Sequence, residues 1–338
     1  MQVGVVARSE ARGLGNQTYE VCRNLDPDRV LLVDPGPDRR FDQHPERYDP
    51  WRTTVSRWRA GQLDRPVVAR WLRGLDVVYS AETPYDLRLP EWAAEVGCSV
   101  VVHANPELLN VHDATAAVTW WSATPWRRDF LPPTTRVVPM PCPTPKVTTD
   151  TDGGGVRFLH VAGWPTVKDR NGTDAVVAAA KRMTSGAPVI LRGQHRDLAA
   201  YRGAAPNLRV EVGTIPNYWD LYRGADVLVM PRRFGGLCLP VLEALAAGLP
   251  VVMTDCPPNE VWPGPRVRAT STSTVQTRGG VLPLFDTDPQ ALAETLDGIA
   301  TDPETLSKLR REAADWVAAN TWDALSGMWR DELERACL

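Results

Sequence analysis

Short β-branched apolar runs recur along the chain with helical stretches between them. In the first half they are Val3–Ala7, Val30–Val33, Val77–Ser80, Ser99–His103, Val118–Trp121 and Arg136–Pro139. They are apolar almost continuously, not at every second residue. Such strands are covered on both faces, as in parallel sheets flanked by helices. The segments Thr18–Leu25, Pro66–Gly74 and Leu89–Val96 between them read as helices. One doubly wound α/β unit is the expectation.

Four prolines, a Thr/Asp stretch and Gly153-Gly154-Gly155 then break the pattern across Pro139–Gly155, as an interdomain linker would. The alternation restarts at Val156–Ala162 and ends in three helical stretches, two of them with Asp288 before Pro289 and Asp302 before Pro303 as caps. A chain of 338 residues supplies two such cores. The expected division is 1–145, a linker over 146–155, a second domain over 156–320, and a final helix over 321–338 crossing back to the first. The fold class is therefore α/β, with two doubly wound Rossmann-like domains facing across a cleft where ligands bind.

Composition removes several alternatives. No run approaches the 18 apolar residues of a membrane span. The start M-Q-V-G-V-V-A-R reads as a buried strand, not a secretory signal. The six cysteines are scattered, with no C-x-x-C pair, so a cytoplasmic location and no metal site are expected. The net charge of −3 predicts no global attraction to polyanions. Arg39–Arg73 is a local exception: nine arginines against four acids, interleaved with Trp51, Trp58 and Trp71. Arginine outnumbers lysine 34 to 4 overall, as codon bias in a GC-rich genome produces, so only the local excess is informative.

The most specific segment is R-F-G-G-L-C-L-P-V-L-E-A-L-A-A-G-L-P-V-V, Arg233–Val252, preceded by Tyr218–Tyr222 and Ala225–Pro231. It reads as a strand, a glycine-containing loop, a helix from about Pro240 with Glu243 in its first turn, and another strand. Glycines let backbone N–H groups approach a ligand, and a helix N-terminus favours a diphosphate. A carboxylate in that turn can accept two ribose hydroxyls.

This segment resembles the sugar-nucleotide domain of retaining GT-B glycosyltransferases of family four, whose pattern there is Pro-Ser…Glu-Gly-Phe-Gly-x-Pro-x-x-Glu-Ala-x-Ala-x-Gly-x-Pro-Val-Val. Asp288–Leu292, Asp302–Glu304 and Asn320–Trp322 resemble that family's C-terminal helices, and the likeness covers 156–325. The resemblance implies a nucleotide-sugar donor, UDP-linked by default, with Glu243 on the ribose and no further cofactor. The family's earlier glutamate, which touches the transferred sugar, falls on Gly235. Backbone amides around Gly236, Leu237, Cys238 and Leu239 are expected to take over that contact.

In H-V-A-G-W-P-T-V-K-D-R-N-G-T, His160–Thr173, relatives have Gly-Arg…Lys-Gly, two cations on the diphosphate. Here Trp164 follows Gly163 in place of the arginine, and Arg170 and Lys168 are the cations expected to act, Arg170 first. Gly13, Gly15 and Asn16 open a helix after the first strand and resemble the loop that faces donor and acceptor. His103, closing the fourth strand, is expected to contact the donor sugar. Asp150-Thr151-Asp152 and Asp286-Thr287-Asp288 mimic an Asp-x-Asp metal motif but read as turns and caps, so no catalytic metal is expected.

The resemblance implies transfer with retention by front-face displacement, a diphosphate oxygen helping to take the acceptor proton. The acceptor is expected on the first domain. One reading is a solvated arginine face with its tryptophans in the core. Another is an anionic acceptor at Arg39–Arg73, such as nucleic acid or a phosphorylated glycolipid. Similarity to bacteriophage-encoded glycosyltransferases implies a 5-hydroxymethylated pyrimidine in DNA. A glycan, glycolipid or small metabolite is the alternative acceptor. Loss of the glutamate at Gly235 also leaves open an inactive binding module, and the fold leaves open a sugar-nucleotide epimerase.

Overall fold

A computed structural model describes the chain except for residues 11–12, 37–42, 110–117, 128–129, 146–153, 164–167, 216 and 338. It divides into two compact units. The first comprises Met1–Met140, Thr277–Gly280 and Trp322–Leu338; the second comprises Pro141–Gln276 and Val281–Thr321. The structural boundary thus lies at Met140–Pro141, and most of the expected linker lies outside the described residues.

The first unit is built on eight strands: β1 Val3–Ala7, β2 Arg29–Asp34, β3 Thr53–Arg59, β4 Gln62–Leu63, β5 Val77–Glu82, β6 Ser99–Ala104, β7 Val118–Ser122 and β8 Arg136–Val137. Their order is β4-β3-β2-β1-β5-β6-β7-β8, parallel except for the β3–β4 pair. Helices α1 Gly13–Leu25, α2 Arg65–Leu72 and α3 Leu89–Ala94 connect them. Asp64 caps α2 through Val67 N–H, and Pro66 follows in the first turn, where its missing donor costs nothing. Val6, Leu31, Val78, Val100 and Val102 form the sheet side of the core, packed with Trp71, Trp92 and Trp120.

The second unit has six parallel strands: β9 Phe158–Val161, β10 Val189–Gly193, β11 Leu208–Val212, β12 Val227–Met230, β13 Val251–Thr254 and β14 Arg266–Val267. A two-stranded ribbon, β15 Ala269–Thr277 and β16 Gly280–Thr287, follows. The helices are α4 Thr173–Ala180, α5 Leu239–Ala246, α6 Pro289–Thr301 and α7 Pro303–Ala319; α8 Trp322–Ala336 groups with the first unit. Asp288 caps α6 through the N–H groups of Gln290 and Ala291, and Asp302 caps α7 through Glu304. Phe158, Val189, Val227, Val229 and Val252 pack against Val176 and Ala180 of α4 and Leu292 and Leu296 of α6.

Strand order decides where a ligand fits. The second sheet runs β11-β10-β9-β12-β13-β14, so the direction of winding reverses between β9 and β12. The loops leaving the carboxyl ends of those two strands flank this switch point, the usual binding place of an open α/β sheet. Those loops are Ala162–Gly172 and Pro231–Cys238.

Candidate functional site

His160 holds this edge together from beneath. It is fully buried on β9. Nδ1 lies 2.8 Å from the Val229 carbonyl of β12, and Nε2 lies 3.0 Å from the Thr173 hydroxyl at the start of α4. A carbonyl only accepts, so Nδ1 carries the proton and Nε2 accepts from the hydroxyl. Burial lowers its pKa and keeps the ring neutral.

The loop after β9 returns through Lys168 and Asp169, both at positive φ, and Gly172 at φ +76°. A Cβ on Gly172 would lie 2.1 Å from the Pro231 carbonyl, so glycine is required where the two loops touch. Asp169 accepts from the N–H groups of Thr173 at 2.8 Å and Asp174 at 2.9 Å. The N-terminus of α4 therefore already carries a carboxylate. The N-cap residue of α5, Cys238, makes no capping hydrogen bond with its side chain. Of the two helix ends, α5 is the one left for an anionic ligand.

Arg233 ties the loops side by side. Its N–H donates to the Arg170 carbonyl at 2.9 Å, its guanidinium donates to the Lys168 carbonyl, and it pairs with Asp286 at 2.7 Å. Lys168 is exposed, whereas Arg170 lies along the glycine loop. Its Nε donates to the Phe234 carbonyl at 3.4 Å and its guanidinium stacks 5.4 Å from the Phe234 ring centroid. Gly163 passes Asn171, whose side-chain amide donates to the Val161 carbonyl at 3.0 Å; a Cβ on Gly163 would lie 2.8 Å from that amide nitrogen.

Gly235, at φ +119°, lies between two guanidinium groups: a Cβ would meet Arg232 Nη2 at 2.2 Å and Arg170 Nη2 at 2.4 Å. Arg232 is buried, and its Nη1 donates to the Leu237 carbonyl at 2.5 Å. Gly236, Leu237 and Cys238 are buried too, and Leu239 is half-buried.

Glu243 sits in the second turn of α5, not the first, because the helix begins at Leu239. It is 4% exposed and accepts from the Tyr218 hydroxyl at 2.6 Å and the Tyr222 hydroxyl at 2.5 Å. It does not cap its helix. Burial and the adjacent carboxylate hold the Tyr222 phenol well above its ordinary pKa, so it remains a donor. A carboxylate oxygen can accept from more than one hydroxyl.

Residues 155–302 match the family model "Glycosyl transferases group 1". A putative glycosyltransferase 45 of Sulfolobus islandicus filamentous virus is 38% identical over 96 residues, covering 26% of this chain and 25% of that protein. The lipopolysaccharide core biosynthesis mannosyltransferase LpsB of Rhizobium meliloti is 37% identical over 71 residues, covering 21% of this chain and 20% of that protein. The matches thus span about a quarter or less of those relatives. Over the whole fold, HepE of Anabaena in complex with UDP and glucose aligns with a TM-score of 0.69 at 11% identity, covering 99% of this chain and 100% of that one.

The fold is GT-B.

In the first GT-B domain the structure places three groups of sequence-predicted residues. His103 does not reach the sheet edge as a free side chain. It is buried with Tyr79, Trp121 and Trp329 around it, ring centroids 6.1, 5.9 and 5.5 Å away, and Nδ1 lies 3.1 Å from the Tyr79 hydroxyl. Burial pushes its pKa down to about 4. His103 is a packed core residue, because its face of β6 is covered by α8.

Gly15 has no space above it for a ligand: a Cβ would lie 2.0 Å from the Glu10 carbonyl. Gly13 begins α1, and Asn16, buried behind it, accepts from Arg47 at 3.0 Å. These residues close the β1–α1 connection.

The Arg39–Arg73 region is not one helical face; it holds a short 3₁₀ turn, the β3–β4 hairpin and α2. Arg39 and Arg40 lie outside the described residues, as do Trp164 and Asp150-Thr151-Asp152. All three tryptophans are engaged. Trp71 is buried, Trp51 donates to Asp26 at 3.0 Å, and Trp58 donates to the Tyr85 carbonyl at 2.9 Å. Arg52, Arg57, Arg59, Arg70 and Arg73 remain exposed.

No group of three or more potential metal-ligating side chains occurs among the described residues, and no described helix is long and apolar enough to cross a membrane. Asp286 pairs with Arg233 and Asp288 caps α6. Sequence reasoning missed Arg232 and the partnership of Tyr218 and Tyr222 with Glu243. The four-residue spacing of the two tyrosines was a usable signal; a lone arginine beside Arg233 was not.

Proposed function

We propose that the protein transfers a glycosyl group from a nucleotide-sugar donor, UDP-linked, to an acceptor hydroxyl. The observation that carries this is Glu243: a buried carboxylate held by two tyrosine hydroxyls, on the helix that follows β12 at the switch point of a parallel sheet. Ribose hydroxyls donate to Glu243. The diphosphate lies at the start of α5 with Arg170 beside it and Lys168 at the exposed margin. The relatives' names and the UDP complex of HepE support the donor class.

The resemblance to retaining GT-B glycosyltransferases supports a front-face displacement, and the charge placement suits it. The bond from the anomeric carbon to the diphosphate oxygen breaks, and the bond to the acceptor oxygen forms on the same face. The acceptor proton passes to the departing diphosphate. Cations and the helix dipole stabilise the charge that grows on it, where preorganised groups contribute most. The configuration is retained and no metal takes part.

For the acceptor, the packed tryptophans favour a neutral glycan, glycolipid or small-metabolite hydroxyl over an unstacked base. A 5-hydroxymethylated pyrimidine in DNA stays as the second reading, supported by the exposed arginines and the viral relative. Incubation with a UDP-sugar panel, with and without a hydroxymethylcytosine duplex and with saccharide acceptors, tests all of these by intact mass and nucleotide release. Anomer-resolved NMR of the product tests retention. Donor binding without any release supports a binding module, and conversion of the donor sugar without an acceptor supports an epimerase.

A further inference from the structure

The polar strand β15 carries an inference independent of the donor site. Among the described residues its one strand neighbour is β16, so its other edge meets no strand. Successive residues of a strand turn their backbone groups to alternate edges, so part of the N–H and C=O groups of β15 face away from β16. Thr270, Ser271, Ser273 and Thr274 are exposed. Neighbours along a strand point to opposite faces, so this stretch stands clear on both. Open edges are normally blunted by charges, proline or a short strand. The other edges of this unit follow that rule: β11 carries the Arg209–Glu211 pair, and β14 is two residues long and contains Arg266. β16 contains Pro283 and Asp286, and its Phe285 N–H already donates to the Arg233 carbonyl at 3.0 Å. β15, with nine residues, has neither a charge nor a proline.

The order of its residues says what fits that edge. Residues 269–275 read A-T-S-T-S-T-V, nearly the same in both directions. Laid antiparallel on a second copy about a two-fold axis at residue 272, Thr270 faces Thr274, Ser271 faces Ser273 and Ala269 faces Val275. Hydroxyl pairs of this kind favour an antiparallel ladder, an apolar pair closes each end, and no like charges meet. A two-fold interface requires such a self-complementary patch. We infer that the free edge of β15 pairs with the same edge of a second copy of this chain, joining two ribbons into a four-stranded sheet of order β16-β15-β15-β16. A single strand pair buries less surface than a standard interface, so the dimer forms at roughly micromolar concentrations and above.

Sedimentation velocity of the full chain, from about 1 to about 300 μM, tests this. It is run on the wild type, on a variant carrying Thr270→Lys with Thr274→Lys, on one carrying Thr270→Glu with Thr274→Glu, and on an equimolar mixture of the two variants. Both positions are exposed, so the fold is kept, and circular dichroism with melting curves checks it. The wild type should dimerise with rising concentration. Each variant sets like charges opposite each other twice and should raise the dissociation constant by about tenfold or more. The mixture sets each lysine opposite a glutamate and should recover the dimer. A second readout fixes the register. Cys337 is the one exposed cysteine among the described residues, so Cys337→Ser supplies a background for Thr272→Cys and Ala269→Cys. Mild oxidation should link two copies through residue 272, on the axis, and far less through residue 269. A wild type that stays monomeric throughout overturns the inference and leaves the edge to a strand of another protein. A dimer that both charged variants keep, or one that their mixture does not recover, overturns it as well. So does cross-linking through residue 269 equal to that through residue 272.

Discussion

Tyr222 donates its buried phenol hydroxyl to Glu243 at 2.5 Å, and Tyr218 meets the same carboxylate at 2.6 Å. The carboxylate is thus oriented before any ligand arrives, so ligand hydroxyls meet a fixed acceptor and less ordering cost falls on binding. Tyr222→Phe removes one donor from a charged, buried acceptor. We expect a loss of about 2 kcal/mol of stability, read by urea denaturation, together with weaker UDP binding. Unchanged stability and affinity would refute the role assigned to Tyr222.

Arg170→Ala is expected to lower kcat by roughly a hundredfold to a thousandfold, as removal of one preorganised donor to a developing anion does. Lys168→Ala should have the smaller effect, because that side chain is exposed while Arg170 lies on the glycine loop. Steady-state kinetics with the best donor decides the order. The reverse order would move the leaving-group contact to Lys168.

Gly15→Ala forces a methyl group to within 2.0 Å of the Glu10 carbonyl. The melting temperature should fall by several degrees, corresponding to more than about 1 kcal/mol, while UDP affinity of the folded protein stays the same. Altered affinity at unchanged stability would restore Gly15 to a ligand-facing role.

Burial holds His103 at a pKa of about 4 in the folded chain, against about 6.5 when unfolded. Between those values the unfolded chain binds more protons. Stability is therefore complete above pH 6.5 and is lost as the pH falls toward 4. The full effect is on the order of 3 kcal/mol. His160 is shifted in the same direction and adds to it. Denaturation curves at pH 7.5 and 4.5 should show a shallower loss in His103→Phe than in the wild type; equal losses would mean that His103 does not titrate on unfolding.

The legible parts of the chain were those where one residue type answers to one local demand. Continuous apolar runs marked most of the parallel strands, and Asp288-Pro289 and Asp302-Pro303 marked the helix starts. β15 was hidden because A-T-S-T-S-T-V-Q-T is polar at most positions and pairs only with β16. β3 was hidden among arginines, where the charge pattern masked the strand. At the site, glycines and Glu243 stood out, but their partners did not. Arg232 gains its meaning from a contact across a loop that no spacing along the chain encodes, and the two tyrosines, although spaced four apart, from meeting Glu243 on another element. His103 erred in the opposite direction: the end of a strand predicted its place, while the aromatic cover came from Trp329, far away in sequence.

That cover has a consequence during synthesis. Trp329 packs 5.3 Å from Trp121 and 5.4 Å from Tyr79, and its indole N–H donates to the Pro139 carbonyl. The first sheet is complete in the nascent chain once β8 has emerged, yet its aromatic pocket stays unsealed until the ribosome has produced the entire second unit and α8 after it. For that interval Trp121, Tyr79 and His103 form a greasy, partly wet surface on an otherwise assembled domain, of the kind chaperones hold and neighbouring nascent chains adhere to. Premature translational arrest anywhere between β8 and α8 would therefore leave a sticky half-protein, and the last helix acts as the latch that ends this exposure.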